Sequence, residues 1–161
     1  MDRMSTDELA RCLVECASAR GVTVCTAESC TAGLVAALIA DVPGASNVLR
    51  GGAVTYCDEV KQQILGVDAA MLARETAVSR PCAAQMACGA RDLIGADMAV
   101  SLTGYAGPDG GTEADPAGTV YIGLADADGV EVRRCLFDGG RNEVRRAAAR
   151  FALTWLLECL G

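Results

Sequence analysis

Residues 30–40, CTAGLVAALIA, carry no charge and a single hydroxyl, so a helix built from them is apolar on nearly every side. Such a helix cannot lie on a surface and has to be buried against a sheet. Its surroundings agree. Residues 22–26 read as a short buried strand before it, Pro43 and Gly44 break the chain after it, and residues 53–56 read as a second strand. Asp58 is a good N-cap for a short helix running to about Leu65. Ser5 and Glu8 form a capping box ahead of Leu9, Cys12, Leu13, Cys16 and Ala17 at helical spacing, ending near Gly21. Ser79 and Pro81 open another helix, with Ala83, Met86, Ala87, Ala90 and Leu93 on one face.

Residues 98–103 form an apolar strand that enters a glycine-rich loop, 104–111. Two β-rich runs, 118–125 and 130–137, are joined by Asp126-Ala127-Asp128-Gly129, which is hairpin chemistry. A last helix from Asn142 puts Val144, Ala148, Phe151, Trp155 and Cys159 on one face. Helices and strands alternate early and a hairpin comes late, which predicts an α/β/α sandwich around a mixed sheet. With 161 residues, the expectation is a single domain spanning 1–161.

Composition narrows the chemistry. Apolar runs such as 36–40 are far too short to span a bilayer, and the opening MDRMSTD has neither a basic start nor an apolar stretch, so a cytoplasmic location is expected. Fourteen basic against twenty-one acidic residues give a charge of −7, which offers a polyanion no global attraction, and no nucleic-acid partner is expected. Arg141, Arg145, Arg146 and Arg150 cluster near the C-terminus and read mainly as the solvated face of a helix. Nine cysteines occur without a C-x-x-C pair, and there is no histidine, which removes the common zinc spacings. Most of the thiols, Cys12, Cys16 and Cys159 included, are expected to be free and in the core. An enzyme of this composition needs a base other than histidine.

Three segments stand at the C-terminal ends of expected strands, where open α/β sheets place ligands. In Thr26-Ala27-Glu28-Ser29-Cys30-Thr31-Ala32-Gly33, a hydroxyl stands at a helix start whose N–H groups could hold a phosphate or an oxyanion. Taken alone, a simple helix cap is the better explanation of that hydroxyl, since Ser and Thr are ordinary there. In Thr55-Tyr56-Cys57-Asp58-Glu59-Val60-Lys61, the lysine is the credible base for a serine, or a surface cation paired with Asp58 or Glu59. The third, Thr103-Gly104-Tyr105-Ala106-Gly107-Pro108-Asp109-Gly110-Gly111-Thr112, is either a binding loop or a long turn; it matches neither a Walker loop nor a dinucleotide fingerprint.

Together with Val54-Thr55-Tyr56, Gly66-Val67, Pro116, Gly118-Thr119-Val120-Tyr121 and Arg141, these segments make the chain resemble the CinA C-terminal domain family, along nearly its whole length and in order. Stand-alone members of that family are nicotinamide-nucleotide amidases. The resemblance implies a three-layer α/β/α fold with a mixed five-stranded sheet. It implies hydrolysis of nicotinamide mononucleotide to nicotinate mononucleotide and ammonia, with Ser29 as nucleophile and Lys61 and Tyr56 as its partners. Cys30, Thr31, Gly33, Thr103, Gly104, Gly107, Pro108, Gly110, Gly111 and Arg145 would belong to the substrate site. It implies a small pyridine nucleotide as partner, no cofactor, no metal and no membrane; association with copies of itself is also expected. Departures from the family pattern are Ala32, Cys57, Asp58 and Tyr105, of which Asp58 favours the charged form of Lys61. Two rival readings are a non-catalytic nucleotide-binding module with a regulatory or competence-related role, and a thiol enzyme using Cys30.

Overall fold

The computed structural model describes residues 4–161; residues 1–3, on which part of the leader reading rests, lie outside the described residues. Five strands form one mixed sheet: β1 (Val24–Glu28), β2 (Leu49–Val54), β3 (Met98–Gly104), β4 (Thr119–Ala125) and β5 (Val130–Leu136), in the order β2-β1-β3-β4-β5. β1 is parallel to both β2 and β3, and β3, β4 and β5 are antiparallel in turn. The expected mixed sheet and the hairpin at 126–129 are both present.

The helices divide between the two faces. On one lie α1 (Thr6–Arg20), α2 (Leu34–Ala40) and α6 (Arg141–Leu160); on the other lie α3 (Asp58–Leu65), α4 (Ala69–Glu75) and α5 (Arg80–Ile94). The strands feed both layers by simple alternation. Val24, Val100 and Leu102 face Leu13, Leu153 and Trp155, whereas Cys25, Ala27 and Ala99 face Cys82, Met86 and Ala90.

Several ends follow from local chemistry. Ser5 and Glu8 make the capping box, and Gly21 closes α1 with a left-handed φ of 66°. The Ser79 hydroxyl accepts from the Cys82 N–H at the start of α5. Other expectations shift. Asp58 is the first residue of α3 rather than its cap. α4 was not foreseen, although Asp68 caps it by accepting from Ala70 and Met71. Leu93 is exposed, and Ile94 beside it packs against the core at the end of α5 instead.

The helix expected over residues 30–40 begins only at Leu34, because Ala32 and Gly33 both take left-handed backbone conformations, with φ of 52° and 90°. Its outward positions are alanines, Ala37 and Ala40, so little apolar surface meets water. The cysteines also depart from expectation. Only Cys25, Cys30 and Cys82 are buried, while Cys16, Cys57 and Cys159 are exposed; all nine are free thiols. No helix among the described residues is long and apolar enough to cross a membrane.

Candidate active site

The ends of β1 and β3 meet at the point where the chain changes direction. From β1 it crosses to β2 by way of α2 on one face, then returns through α3–α5 on the other to β3. A crevice opens at such a switch. Ser29 continues β1 by one residue, its N–H donating to Leu102 O at 2.9 Å, and the Thr55 N–H donates to Glu28 O at 2.9 Å. The nucleophile candidate therefore rides on the sheet itself. At the end of β3, Gly104 is packed so closely that a Cβ would stand 2.5 Å from Thr119 O.

The crevice is a cavity of about 260 Å³ lined by Ser29, Cys30, Tyr56, Lys61, residues 103–107 and Arg141, among others. At its floor the Lys61 Nζ donates to Ser29 Oγ at 3.3 Å. Lys61 is 1% exposed and Ser29 is 9% exposed. The surface-cation alternative for Lys61 is thereby removed. An ammonium withdrawn from water must be held by hydrogen bonds or opposite charge. Here it has the serine and, more loosely, Asp58 Oδ1 at 3.8 Å, whose side chain is half exposed.

The helix-cap alternative for Ser29 fails too, for a residue that was not foreseen. Glu28 is completely buried, and its carboxylate accepts from the N–H groups of Val35 (3.1 Å) and Ala36 (2.9 Å). Glu28 caps α2 across the intervening turn, which frees the hydroxyls of Ser29 and Thr31 from that duty. It also occupies two amides at the helix start that had been expected to serve a phosphate or an oxyanion. An acidic residue immediately before a small-residue turn was the available signal.

Tyr56 is placed differently from expectation. It is 57% exposed, and its hydroxyl accepts from Arg141 Nη2 at 2.8 Å instead of bridging Ser29 and Lys61. Arg141 Nη1 also donates to Gly107 O at 3.0 Å, tying the start of α6 to the glycine loop at the cavity wall.

Arg145, expected at the substrate, stands back from the cavity. Its Nε donates to Cys30 O at 3.0 Å and its Nη2 to Thr31 O at 2.9 Å. One helical turn separates the two arginines, so Arg141 reaches the opening and Arg145 the back of the nucleophile turn. Neither belongs to a merely solvated face.

Thr103 lines the cavity, but its hydroxyl donates to Ala77 O at 2.7 Å and fixes the segment between α4 and α5. Gly104 and Gly107 also line it, whereas Thr31, Gly33, Pro108, Gly110 and Gly111 do not. Thr31 is buried inside the turn, and the loop beyond Gly107 folds on itself through a bridge between Gly111 and Pro116.

Cys30 lies on the cavity wall, and burial pushes its thiol up to about 11, with Glu28 pushing the same way and Arg145 and Lys61 opposing. It is a neutral thiol near pH 7, without the thiolate that a cysteine nucleophile requires. Among the described residues, no group of three or more Cys, Asp or Glu side chains converges as a metal site.

The CinA C-terminal domain family matches residues 6–160. The chain belongs to that family. A CinA-like protein of Geobacter sulfurreducens is 48% identical over 137 residues, which is 85% of this chain and 33% of that protein. The chain thus spans about a third of the length of the CinA-like relatives that head the comparison. The nicotinamide-nucleotide amidohydrolase PncC of Escherichia coli strain K12 is 49% identical over 140 residues, covering 86% of this chain and 84% of that protein. Among solved structures, a CinA superfamily protein from Klebsiella pneumoniae superposes with a TM-score of 0.94 at 39% identity, covering 98% of each chain. A competence/damage-inducible protein from Agrobacterium tumefaciens gives 0.92 at 40% identity, over 96% of this chain and 98% of that one.

Proposed function

We propose that this chain is a nicotinamide-nucleotide amidase that converts nicotinamide mononucleotide to nicotinate mononucleotide and ammonia, with Ser29 as nucleophile and Lys61 as its base. The carrying observation is the buried contact of 3.3 Å between Lys61 Nζ and Ser29 Oγ. A binding module has no use for it. The likeness to a nicotinamide-nucleotide amidohydrolase, over 86% of this chain and 84% of that protein, supports the reaction class.

In the reactive state the Lys61 amine is neutral and the contact reverses, the serine hydroxyl donating to Nζ. Lys61 takes that proton as Oγ attacks the carboxamide carbon, and the carbonyl oxygen becomes an oxyanion. When the tetrahedral species collapses, the C–N bond breaks and Lys61 returns the proton to the leaving nitrogen, releasing ammonia. The resulting ester on Ser29 is attacked by water, with Lys61 again the base, and nicotinate mononucleotide leaves. Arg141 is the arginine placed to meet the ribose-phosphate, since its guanidinium already borders the cavity and has donors to spare beyond Gly107 and Tyr56. Tyr56 positions that guanidinium. With this function the chain works in the cytoplasm, in pyridine-nucleotide recycling.

The test is ammonia release from nicotinamide mononucleotide by the purified chain, with and without excess chelator. Turnover at an unchanged rate with chelator is expected. Absence of turnover, or a chelator-sensitive rate restored by a divalent ion, contradicts the proposal.

A further inference from the structure

The chain has three tyrosines, two phenylalanines and one tryptophan. Nearly all of them are engaged with other side chains. Phe151 meets both Phe137 and Trp155 edge to face, and the Arg133 guanidinium stands over the Trp155 ring at 4.2 Å. The Tyr121 hydroxyl donates to Asp115, and the Tyr56 hydroxyl accepts from Arg141. Tyr105 is the exception. Among the described residues its ring meets no other ring and no cation, and its hydroxyl has no hydrogen-bond partner. It is half-buried and lines the cavity that holds Ser29 and Lys61. Its aromatic face is left for a ligand.

The sheet determines where that ring stands. β1 and β3 run in parallel with Glu28 beside Leu102, so Ser29 comes level with Thr103. Side chains alternate along a strand. Cys25 and Ala27 face the layer of α3–α5, and Ser29, next in that series, faces it too and meets Lys61. On β3, the Ser101 and Thr103 hydroxyls reach the carbonyls of Ala83 and Ala77 on the same side. Tyr105 continues the alternation, because its N–H still donates to Thr119 O and its carbonyl accepts from the Gly118 N–H. Nucleophile, base and ring therefore share one side of the sheet, with Tyr105 roughly 7 Å further along the strand than Thr103. Gly110 flanks the ring, since a Cβ there would stand 3.5 Å from Tyr105 Cδ1.

A carboxamide at Ser29 on the cavity floor and a phosphate at Arg141 by the opening leave the pyridine ring between them, at the depth of Tyr105. In the nucleotide that ring carries a quaternary nitrogen and a positive charge. An aromatic face attracts such a cation, the more so where water is excluded. We propose that Tyr105 is a specificity-determining residue whose face receives the charged pyridine ring, so that the site selects pyridinium amides over uncharged ones. This rests on the amidase reading.

The experiment measures KM and kcat for nicotinamide mononucleotide and the inhibition constant of its dihydro form. The dihydro form keeps the carboxamide, ribose and phosphate, and its ring is uncharged. Wild type, Tyr105→Leu and Tyr105→Phe are compared. Tyr105→Leu should raise KM about 3- to 30-fold, with kcat within about threefold and the inhibition constant of the dihydro form within about twofold. Tyr105→Phe, which keeps the face, should stay near wild type. A KM unchanged by Tyr105→Leu, or an equal rise for both ligands, overturns the proposal and leaves any preference for charge to Asp58 and Asp109, which also line the cavity. A loss in Tyr105→Phe as large as in Tyr105→Leu overturns it by making the hydroxyl the contact. Wild type alone decides the matter if Tyr105→Leu does not fold: release of ammonia with the dihydro form bound as tightly as the charged substrate overturns the ring contact and leaves the amidase reading standing. A wild-type protein that releases no ammonia overturns the amidase reading itself, and this inference with it.

Discussion

On one side of the cavity, residues 29–33 are tied down from three directions: the Ser29 N–H to β3, the Cys30 and Thr31 carbonyls to Arg145, and the helix that follows to Glu28. On the other side, residues 108–114 are all exposed, and their anchors lie at the far end of the loop, in the bridge between Gly111 and Pro116, the Thr112 N–H donating to Asp115 O and Arg134 donating to Ala114 O. Both segments leave the C-terminal end of a strand, and both are rich in small residues. The difference lies in what surrounds them. The first has Ser29, Cys30 and Thr31 buried beside α6, where tethers are strong and misplacement is costly. The second lies at the rim, where a loop can accommodate a ligand of variable shape. The comparison teaches a division of labour: bond chemistry on the fixed side, recognition of the remainder of the substrate on the open side.

The strongest way to break that comparison is at Lys61. Lys61→Met keeps a long apolar stem in the buried site and removes the side chain that hydrogen-bonds to the Ser29 hydroxyl. Turnover should fall about 10²–10⁴-fold, as for loss of a general base, while the thermal midpoint holds. Retained ammonia release would move the base elsewhere.

Next in size is Glu28→Gln, which keeps the shape but leaves a neutral side chain with a single acceptor oxygen for two amides. A stability loss of about 1–3 kcal/mol in urea titration is expected, since charge-assisted bonds are being replaced inside the core. Turnover should fall as well, but by less than for Lys61→Met.

The smallest effect belongs to the open side. Gly110 has a φ of 90°, and a Cβ there would meet only the Tyr105 ring at 3.5 Å. Gly110→Ala should cost about 1 kcal/mol for the left-handed conformation and change KM more than kcat. A large kcat loss would place chemistry on the glycine loop and erase the contrast.

Much of this organisation was legible in the residues, and the failures have physical causes. The caps at Ser5 and Ser79 and the turn at 126–129 use local chemistry, which acts within a few residues, so they could be read directly. The pairing of Ser29 with Lys61 came from the family resemblance, since nothing local links residues 32 positions apart. The exchange of roles between Arg141 and Arg145 was not legible, because it depends on the angular position of each on α6 and on what each guanidinium can reach. Glu28 was read as a neighbour of the nucleophile and not as the cap of a helix six residues further on, because the left-handed backbone at Ala32 that shortens α2 has no side-chain signature. The exposed Cys16 and Cys159 occupy helix positions where a small thiol is tolerated at the surface, so apolar character misplaced them.

The central claim is that the oxygen of Ser29, and not the adjacent sulfur, attacks the amide. Among the described residues the Ser29 hydroxyl caps no helix and accepts from Lys61 alone, and the Cys30 thiol stays protonated near neutral pH because burial pushes it up to about 11. Paired ammonia-release assays on Ser29→Ala and Cys30→Ala, with thermal melts to establish that both fold, test this directly. The account predicts no turnover for Ser29→Ala, at a stability cost of about 1 kcal/mol for the lost hydrogen bond, and most of the wild-type rate for Cys30→Ala. Turnover by folded Ser29→Ala with none by folded Cys30→Ala would contradict it and assign the chemistry to the thiol.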